Sequence, residues 1–484
     1  MSDSVEHFTL LISGAPSSDG VLELHAPYDQ TLLATLDSAD ADAVDLALDT
    51  AYKLFRDRDR RLPVAERIEI LQRLMGMMRN QAESLAQEAA AEGGKPLLDS
   101  RVEVARAIDG IQICIDTLRT ETGRIIPMGV NAASAHRLAY TTYEPIGIVV
   151  AVSAFNHPLN LIVHQVAPAV ATGCPVIVKP AQDTPRSCMR FVKMLHEAGL
   201  PPGWCQALVT MDRAVSEKLV TDPRVGFFSF IGSAQVGWML RNKLAPGVRC
   251  ALEHGGVAPV IIGADADIDA AVPALAKGGL YHAGQVCVSV QRVFAHESIA
   301  DTVADQLAAA GTAMRIGDPL EANTEIGPLI KAAEIERIDT WVQAAIDEGA
   351  SCLSGAKRIG QSCYAATVLL DPSESSMVSQ QEIFGPVICV YRYSNASDAI
   401  RQANALPFSF QASVWTRDLE FALRTSQRLD AAAVMVNDHT AFRVDWMPFA
   451  GLRQSGHGVG GIPYTMHEMQ IEKMTVIHSK NLGS

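Results

Sequence analysis

The sequence lacks most of the features that would take it out of the ordinary water-soluble class. Its N-terminus, Met-Ser-Asp-Ser-Val-Glu-His, has no basic run followed by an apolar core, so no secretory signal is expected. No stretch approaches the roughly 18 uncharged apolar residues that a membrane helix needs, so no membrane partner is expected. Basic residues are outnumbered, 40 Lys+Arg against 54 Asp+Glu, for a net charge of −14. Nucleic acid and acidic membranes demand clustered cationic surface, so neither is an expected partner. The nine cysteines are odd in number and scattered from Cys114 to Cys389 with no CxxC pair. That excludes a disulfide framework or a structural zinc site as the organising device, predicts no metal, and suits a reducing cytoplasm. Repeats and low-complexity segments are absent as well.

What is present is 484 residues, 48% of them hydrophobic, too long for one core. Short strands are expected at Phe8 to Ile12, Val21 to His25 and Thr31 to Leu36, then helices at 43–55, 64–91 and 99–120. Residues 123–145 read as a projecting hairpin with polar alternation. From Ile146 strands alternate with helices: strands 146–152, 174–178, 207–210, 225–231 and 249–253, with helices between them. The rhythm restarts at 259 with a helix at 268–283, a strand at 288–295 and a helix at 300–313. Strands joined by crossover helices mean parallel, doubly wound sheets, so the fold class is α/β with two such domains.

Six stretches carry candidate chemistry. Gly284-Gln-Val286-Cys287-Val288-Ser289 sets a lone cysteine after a turn-prone lead-in, where a thiolate can face a cleft. Gly232-Ser233, ending the strand at 225–231 and opening a helix, offers free N–H groups to a pyrophosphate. Lys179 ends a buried strand, the edge at which open α/β sheets bind ligands. Asn156, in Ala154-Phe155-Asn156-His157-Pro158, follows another buried strand and can donate to an oxyanion. Glu253, before His254-Gly255-Gly256, can act as a general base. Gln381-Glu382-Ile383-Phe384-Gly385-Pro386 places an acid and an aromatic ring around a turn. Each alone has a bland alternative: a buried structural thiol, a helix cap, an exposed loop lysine or a turn carboxylate.

Together, in this order and spacing, these stretches resemble the aldehyde dehydrogenase superfamily over roughly residues 8 to 478. Asn437-Asp438, Met447-Pro448-Phe449-Ala450-Gly451 and Ser455-Gly456 belong to the resemblance. It implies Cys287 as nucleophile, Glu253 as general base and Asn156 as oxyanion donor. It implies cofactor contacts from Ser153, Phe155, Lys179, Gln182, Gly232, Ser233, Val236, Glu382 and Phe384. It further implies a split cofactor domain, 1–122 with 144–258, a catalytic domain at 259–466, and an arm made of 123–143 and 467–484. Such an arm would join chains into a homodimer or homotetramer.

The chain departs from the family pattern at several points. Ala154-Phe155 replaces Pro-Trp, His254 replaces the usual Leu before Gly-Gly, Val257 stands where Lys is common, and Gln381 replaces the first of two acids. None removes a catalytic group. Glu253 favours hydrolysis to the free acid over a CoA-acylating relative, in which that acid is typically replaced. The intact Cys287, Asn156 and Glu253 argue against an idle structural member. Gln182, where NAD-specific members usually carry Glu, keeps hydrogen bonds to a ribose but loses the repulsion of a 2′-phosphate, so NAD is expected with NADP tolerated. For the substrate, Arg106, His157 and Arg443 are the cationic candidates, with Val286 and Val288 flanking the nucleophile. The bland alternative for each arginine is an ion pair on its own stretch, Arg106 with Glu103 and Arg443 with Asp445. Arg106 and Asn-His-Pro look like phosphonoacetaldehyde dehydrogenases, but Val286 stands where those carry arginine. Arg-x-Asp-x-Met-Pro-Phe looks like lactaldehyde and glyceraldehyde-phosphate enzymes. A short aldehyde bearing an anionic or hydroxyl group is the expected small-molecule substrate.

Overall fold

The computed structural model describes residues 5–15 and 20–482. The outermost ends of the expected cofactor domain and arm, residues 1–4 and 483–484, lie outside the described residues.

Two parallel sheets organise the chain. The first has six strands in the spatial order Gly456–His457, Arg249–Glu253, Val225–Ile231, Ile148–Val152, Val176–Lys179, Cys205–Ala207. All neighbours are parallel except Gly456–His457, which runs antiparallel to Arg249–Glu253. The order reverses between Ile148–Val152 and Val225–Ile231, so a crevice opens beyond their carboxyl ends, the usual ligand position in such sheets. Helix Asn160–Thr172 covers this sheet and is buried on every side. The second sheet has seven strands, Ser351–Ser354, Thr367–Leu370, Val387–Tyr393, Arg292–His296, Pro259–Ile262, Gln411–Trp415 and Ala433–Val436. Only Ser351–Ser354 is antiparallel to its neighbour. Each sheet has its own apolar core, one around Phe191, Phe227 and Ile162, the other around Phe294, Ile388 and Val260.

A separate antiparallel sheet has the order Gln470–His478, Arg137–Pro145, Ile125–Ile126. Its long pairing runs from Gln470 against Pro145 to His478 against Arg137. Met474, Val476 and Ile477 are exposed on its outer strand.

Several boundaries differ from those expected. Helix 64–91 is two helices, Val64–Asn80 and Ala82–Gly93, broken at Gln81, whose φ of −113° and ψ of 16° leave the helical region. The second ends on Gly94 in the left-handed conformation. The strand expected from Val288 begins at Arg292, because residues 284–289 fold back on themselves: Val286 N–H donates to Gly284 O and Ser289 N–H to Val286 O. The strand expected at 207–210 is Cys205–Ala207. Residues 456–469, expected mostly in the second domain, pack on the first. Gly456–His457 extends the first sheet, and Ile462, Met466 and Met469 of the following helix enter its core.

Candidate active site

One cavity of about 420 Å³ lies at the crevice of the first sheet, against the second domain. Its wall brings together Cys287, Asn156, Glu253, Ser153, Phe155, His157, Gly232, Ser233, Val236, Glu382, Phe384, Arg106, Arg443, Val286 and Val288. Lys179 and Gln182 are not on that wall. Lys179 ends strand Val176–Lys179 and Gln182 lies just beyond it, where the exposed Gln182 donates Nε2–H to Thr210 O at 2.6 Å.

The nucleophile loop is held by backbone strain and a buried glutamine. His282, Ala283 and Gly284 follow one another at φ of 51°, 53° and 68°. A side chain at Gly284 would place its Cβ 2.1 Å from Gly385 O, so glycine is required there. Gln285, wholly buried, accepts from Ile330 N–H at 3.0 Å and donates to His282 O and Pro328 O at 3.2 Å each. Its carbonyl accepts from Asn156 Nδ2 at 2.9 Å. This fixes the amide beside the loop and leaves its second N–H for a ligand oxygen. Burial pushes the half-buried Cys287 thiol up; the Glu253 and Glu382 carboxylates push the same way and the Arg443 guanidinium opposes them.

Glu253 ends its strand with Oε1 buried and without a hydrogen-bond partner, 3.6 Å from Arg443 Nη1. Burial raises its pKa and Arg443 moderates the rise, which suits a base that must take a proton from water. Glu382 is likewise pushed up, to about 8, by burial, opposed by the Gly256 N–H and the Arg337 charge. Its Oε1 is unpartnered and lies where a Cβ on Gly255 would fall, 1.6 Å away. Phe384, at φ 50°, meets Phe155 edge-on at 5.8 Å. Arg337 fastens this loop by donating to Ile383 O at 2.7 Å.

Of the two ion pairs weighed for the arginines, that of Arg106 with Glu103 does not form. Glu103 is taken by the buried Lys95 and by the N–H groups of Leu159 and Asn160, each at 2.9 Å. Arg106 instead holds Asp445 in two bonds, 2.6 and 3.1 Å. Arg443 Nε approaches the same carboxylate at 3.9 Å, while its guanidinium stacks over Phe449 at 3.5 Å. His157 stands on the cavity wall without the charge expected of it. Burial, with Lys95, His282 and Arg106 nearby, holds it well below the normal imidazole range, so it offers a hydrogen-bonding edge and no charge. Gln285, inside the cysteine stretch, lines the cavity too, and so do Tyr281 and Asn160, which were not anticipated because nothing in their local sequence separates them from helix or turn residues. Among the described residues no group of three or more His, Cys, Asp or Glu is arranged to hold a metal ion, and no helix is long and apolar enough to cross a membrane.

The sequence model of the aldehyde dehydrogenase family matches residues 15–475, and the chain belongs to that family. A 3-sulfolactaldehyde dehydrogenase from Priestia aryabhattai is 33% identical over 476 residues, 98% of each chain. Among solved structures, aldehyde dehydrogenase 21 from Physcomitrella patens, in complex with the reaction product succinate, superposes with a TM-score of 0.94 at 31% identity, covering 99% of this chain and 100% of that one. A glyceraldehyde-3-phosphate dehydrogenase from Methanocaldococcus jannaschii, complexed with NADP, gives 0.90 at 33% identity, covering 95% and 99%.

Proposed function

We propose that this aldehyde dehydrogenase oxidises a short aldehyde carrying an anionic or hydroxyl group to the carboxylic acid, using NAD and tolerating NADP. The observation that carries the substrate reading is the pair of guanidiniums, Arg106 and Arg443, on the wall that also holds Cys287. They share the buried carboxylate Asp445, and Arg443 also lies 3.6 Å from Glu253, so what the pair brings to the wall is two fixed guanidinium edges in a chain of net charge −14. Local capture of this kind is strong for a carboxylate or sulfonate once water is excluded. The sulfolactaldehyde relative and the succinate-bound structure support it.

The residues fit a dinucleotide. Ser233 precedes helix Ala234–Arg241 without capping it, which leaves the helix N–H groups free. Glu382 keeps an unpartnered oxygen for a ribose hydroxyl. Gln182, with one amide hydrogen used on Thr210, retains its neutral oxygen. Lys179 and Gln182 on the outer side, with Ser153, Phe155, Gly232, Ser233, Val236, Glu382 and Phe384 on the inner side, would hold it. NAD bound there supplies the hydride acceptor. The first sheet with its helical cover is then the cofactor unit, and the second sheet the catalytic unit.

The geometry supports a covalent route through the thiol. The Cys287 thiolate adds to the aldehyde carbon. Its own N–H and the free Asn156 N–H stabilise the resulting oxyanion. Collapse of this thiohemiacetal releases hydride and leaves a thioester. Glu253 takes a proton from a water that attacks the thioester, and the acid leaves with Cys287 restored. The presence of Glu253 supports hydrolysis over transfer to CoA.

The exposed strand Gln470–His478, with Met474, Val476 and Ile477 outward, supports pairing with a second copy into a dimer or tetramer. The nine unpaired cysteines support a reducing cytoplasm. The test is NADH formation with succinate semialdehyde and lactaldehyde against propanal and benzaldehyde, together with Glu253→Gln. That variant should accumulate an acyl group on Cys287 by intact mass; full turnover would assign the base elsewhere. NADP should be used within about a thousandfold of NAD, about 4 kcal/mol in catalytic efficiency. A light-scattering mass of one chain would remove the arm's role.

A further inference from the structure

We infer that His254, which stands where the family usually carries leucine, is a positioning residue: it ties the Gly232–Ser233 turn to the strand end that presents Glu253. The inference rests on the dehydrogenase reading above for the identity of the cofactor. His254 is 2% exposed and lies on the cavity wall. Its Nδ1 is 2.8 Å from Gly232 O; a carbonyl only accepts, so Nδ1 carries the proton and donates. Gly232 N–H in turn donates to Glu253 O at 3.1 Å. The two bonds close a ring between the turn and the strand end, and both main-chain polar groups of Gly232 are engaged. The His254 N–H donates to Ser455 O at 3.0 Å, anchoring the strand end from its other side.

The imidazole is fitted to its place. It lies 5.7 Å from Phe230 and 5.8 Å from Trp238 by ring centroids. Its edge rests on Gly237 in the first turn of helix Ala234–Arg241, where a Cβ would come 2.1 Å from Cε1 and 2.7 Å from Nε2. So Gly237 is the residue that makes room for this histidine. A leucine at 254 fills comparable space and donates nothing, leaving Gly232 O unpaired at the cavity edge. The turn, with the free N–H groups of the helix behind it, then keeps only the Gly232 N–H bond to Glu253 O as its tie to the base-bearing strand.

The experiment is titration of the full-length enzyme with NAD, followed by calorimetry and by tryptophan fluorescence, with Trp238 as the nearby reporter. His254→Leu should raise the Kd for NAD about tenfold, the cost of one buried hydrogen bond. His254→Asn, whose amide donates from the position of Nδ1, should stay within about threefold of wild type. Gly237→Ala, which displaces the ring, should resemble His254→Leu, and the two changes combined should cost little more than either alone. An unchanged Kd in His254→Leu, or His254→Asn as weak as His254→Leu, would overturn the inference. Should His254→Leu fail to fold, Gly237→Ala decides: unaltered NAD affinity there overturns it. A wild-type protein that binds NAD with this pattern but oxidises no aldehyde would overturn the functional reading and leave the tether standing. No NAD binding by the wild type overturns both.

Discussion

Arg106 and Asp445 stand 339 residues apart and meet as a two-pronged ion pair, Nη2 to Oδ1 at 2.6 Å and Nε to Oδ2 at 3.1 Å. Asp445 is 2% exposed and also accepts from His164 Nε2 at 2.8 Å. It is held well below the usual carboxylate range; burial opposes this, and the His164 and Arg106 contacts outweigh it. The carboxylate therefore stays charged and fixes the planar guanidinium of Arg106 at the cavity wall. Such fixing reduces the entropy lost when a substrate anion is gripped.

Removing Arg106 should accordingly hurt charged substrates selectively. Arg106→Ala should lower kcat/KM for succinate semialdehyde by about ten- to a hundredfold, the range for a hydrogen bond to a charged group. Propanal should change by less than about threefold, because it offers the guanidinium nothing. Equal losses for both aldehydes would show that Arg106 serves the fold and not the substrate.

Gly255 faces Glu382 with no room for a methyl. A Cβ there would fall 1.6 Å from Oε1, so Gly255→Ala must swing the carboxylate away, which a flexible side chain allows without unfolding. We expect Gly255→Ala and Glu382→Gln each to weaken NAD binding by roughly tenfold, with the double variant no worse than either alone. Additive losses, read by calorimetry, would mean that the glycine matters for something other than the acid.

The contrast between these residues and Asp445 explains how far the sequence could be read. Asn156, Glu253, Lys179 and Ser233 sit at or just beyond strand ends, which the alternation of strands and helices announces locally, whereas Cys287 lies in the turn between helix Ile268–Leu280 and strand Arg292–His296. The shared role of Asp445 could not be read, because its partner Arg106 lies on a distant helix and Glu103 offered a nearer one. The break at Gln81 was invisible for a related reason: Leu71, Leu74, Met75 and Met78 before it and Leu85, Ala86 and Ala89 after it keep helical spacing. Val288 reads as the start of a strand by composition. Its carbonyl instead accepts from Thr440 Oγ1 at 2.7 Å, and the loop stays out of the sheet until Arg292. At Arg106 and at Val288 a tertiary partner overrode a local preference.

His164 sets an acid limit on stability. Burial lowers its pKa to about 4 from 6.5, with Arg443 and Arg106 adding to the shift and Asp445 opposing it. Between those two values the unfolded chain binds a proton that the folded chain refuses, so stability is lost as pH falls from 6.5 toward 4. Replacing His164 by Gln, which keeps an N–H for Asp445, removes this titration. The fall in Tm from pH 7 to pH 5 should be smaller in His164→Gln than in wild type. An equal or larger fall would place the acid sensitivity in other groups.

The last prediction concerns the thiol itself and is independent of turnover. Burial and the two carboxylates Glu253 and Glu382 raise the pKa of Cys287, whereas Arg443 lowers it. Charge removal should therefore act with opposite signs. Glu253→Gln takes away a negative neighbour, favours the thiolate and should move the pH midpoint of Cys287 alkylation down by about one unit. Arg443→Gln takes away the compensating cation and should move it up by about as much. The probe is iodoacetamide, with modification of Cys287 read by peptide mass, since Cys352 is also exposed. Shifts of the same sign in both variants would mean that packing around the thiol, and not the Glu253 and Arg443 charges, controls its reactivity.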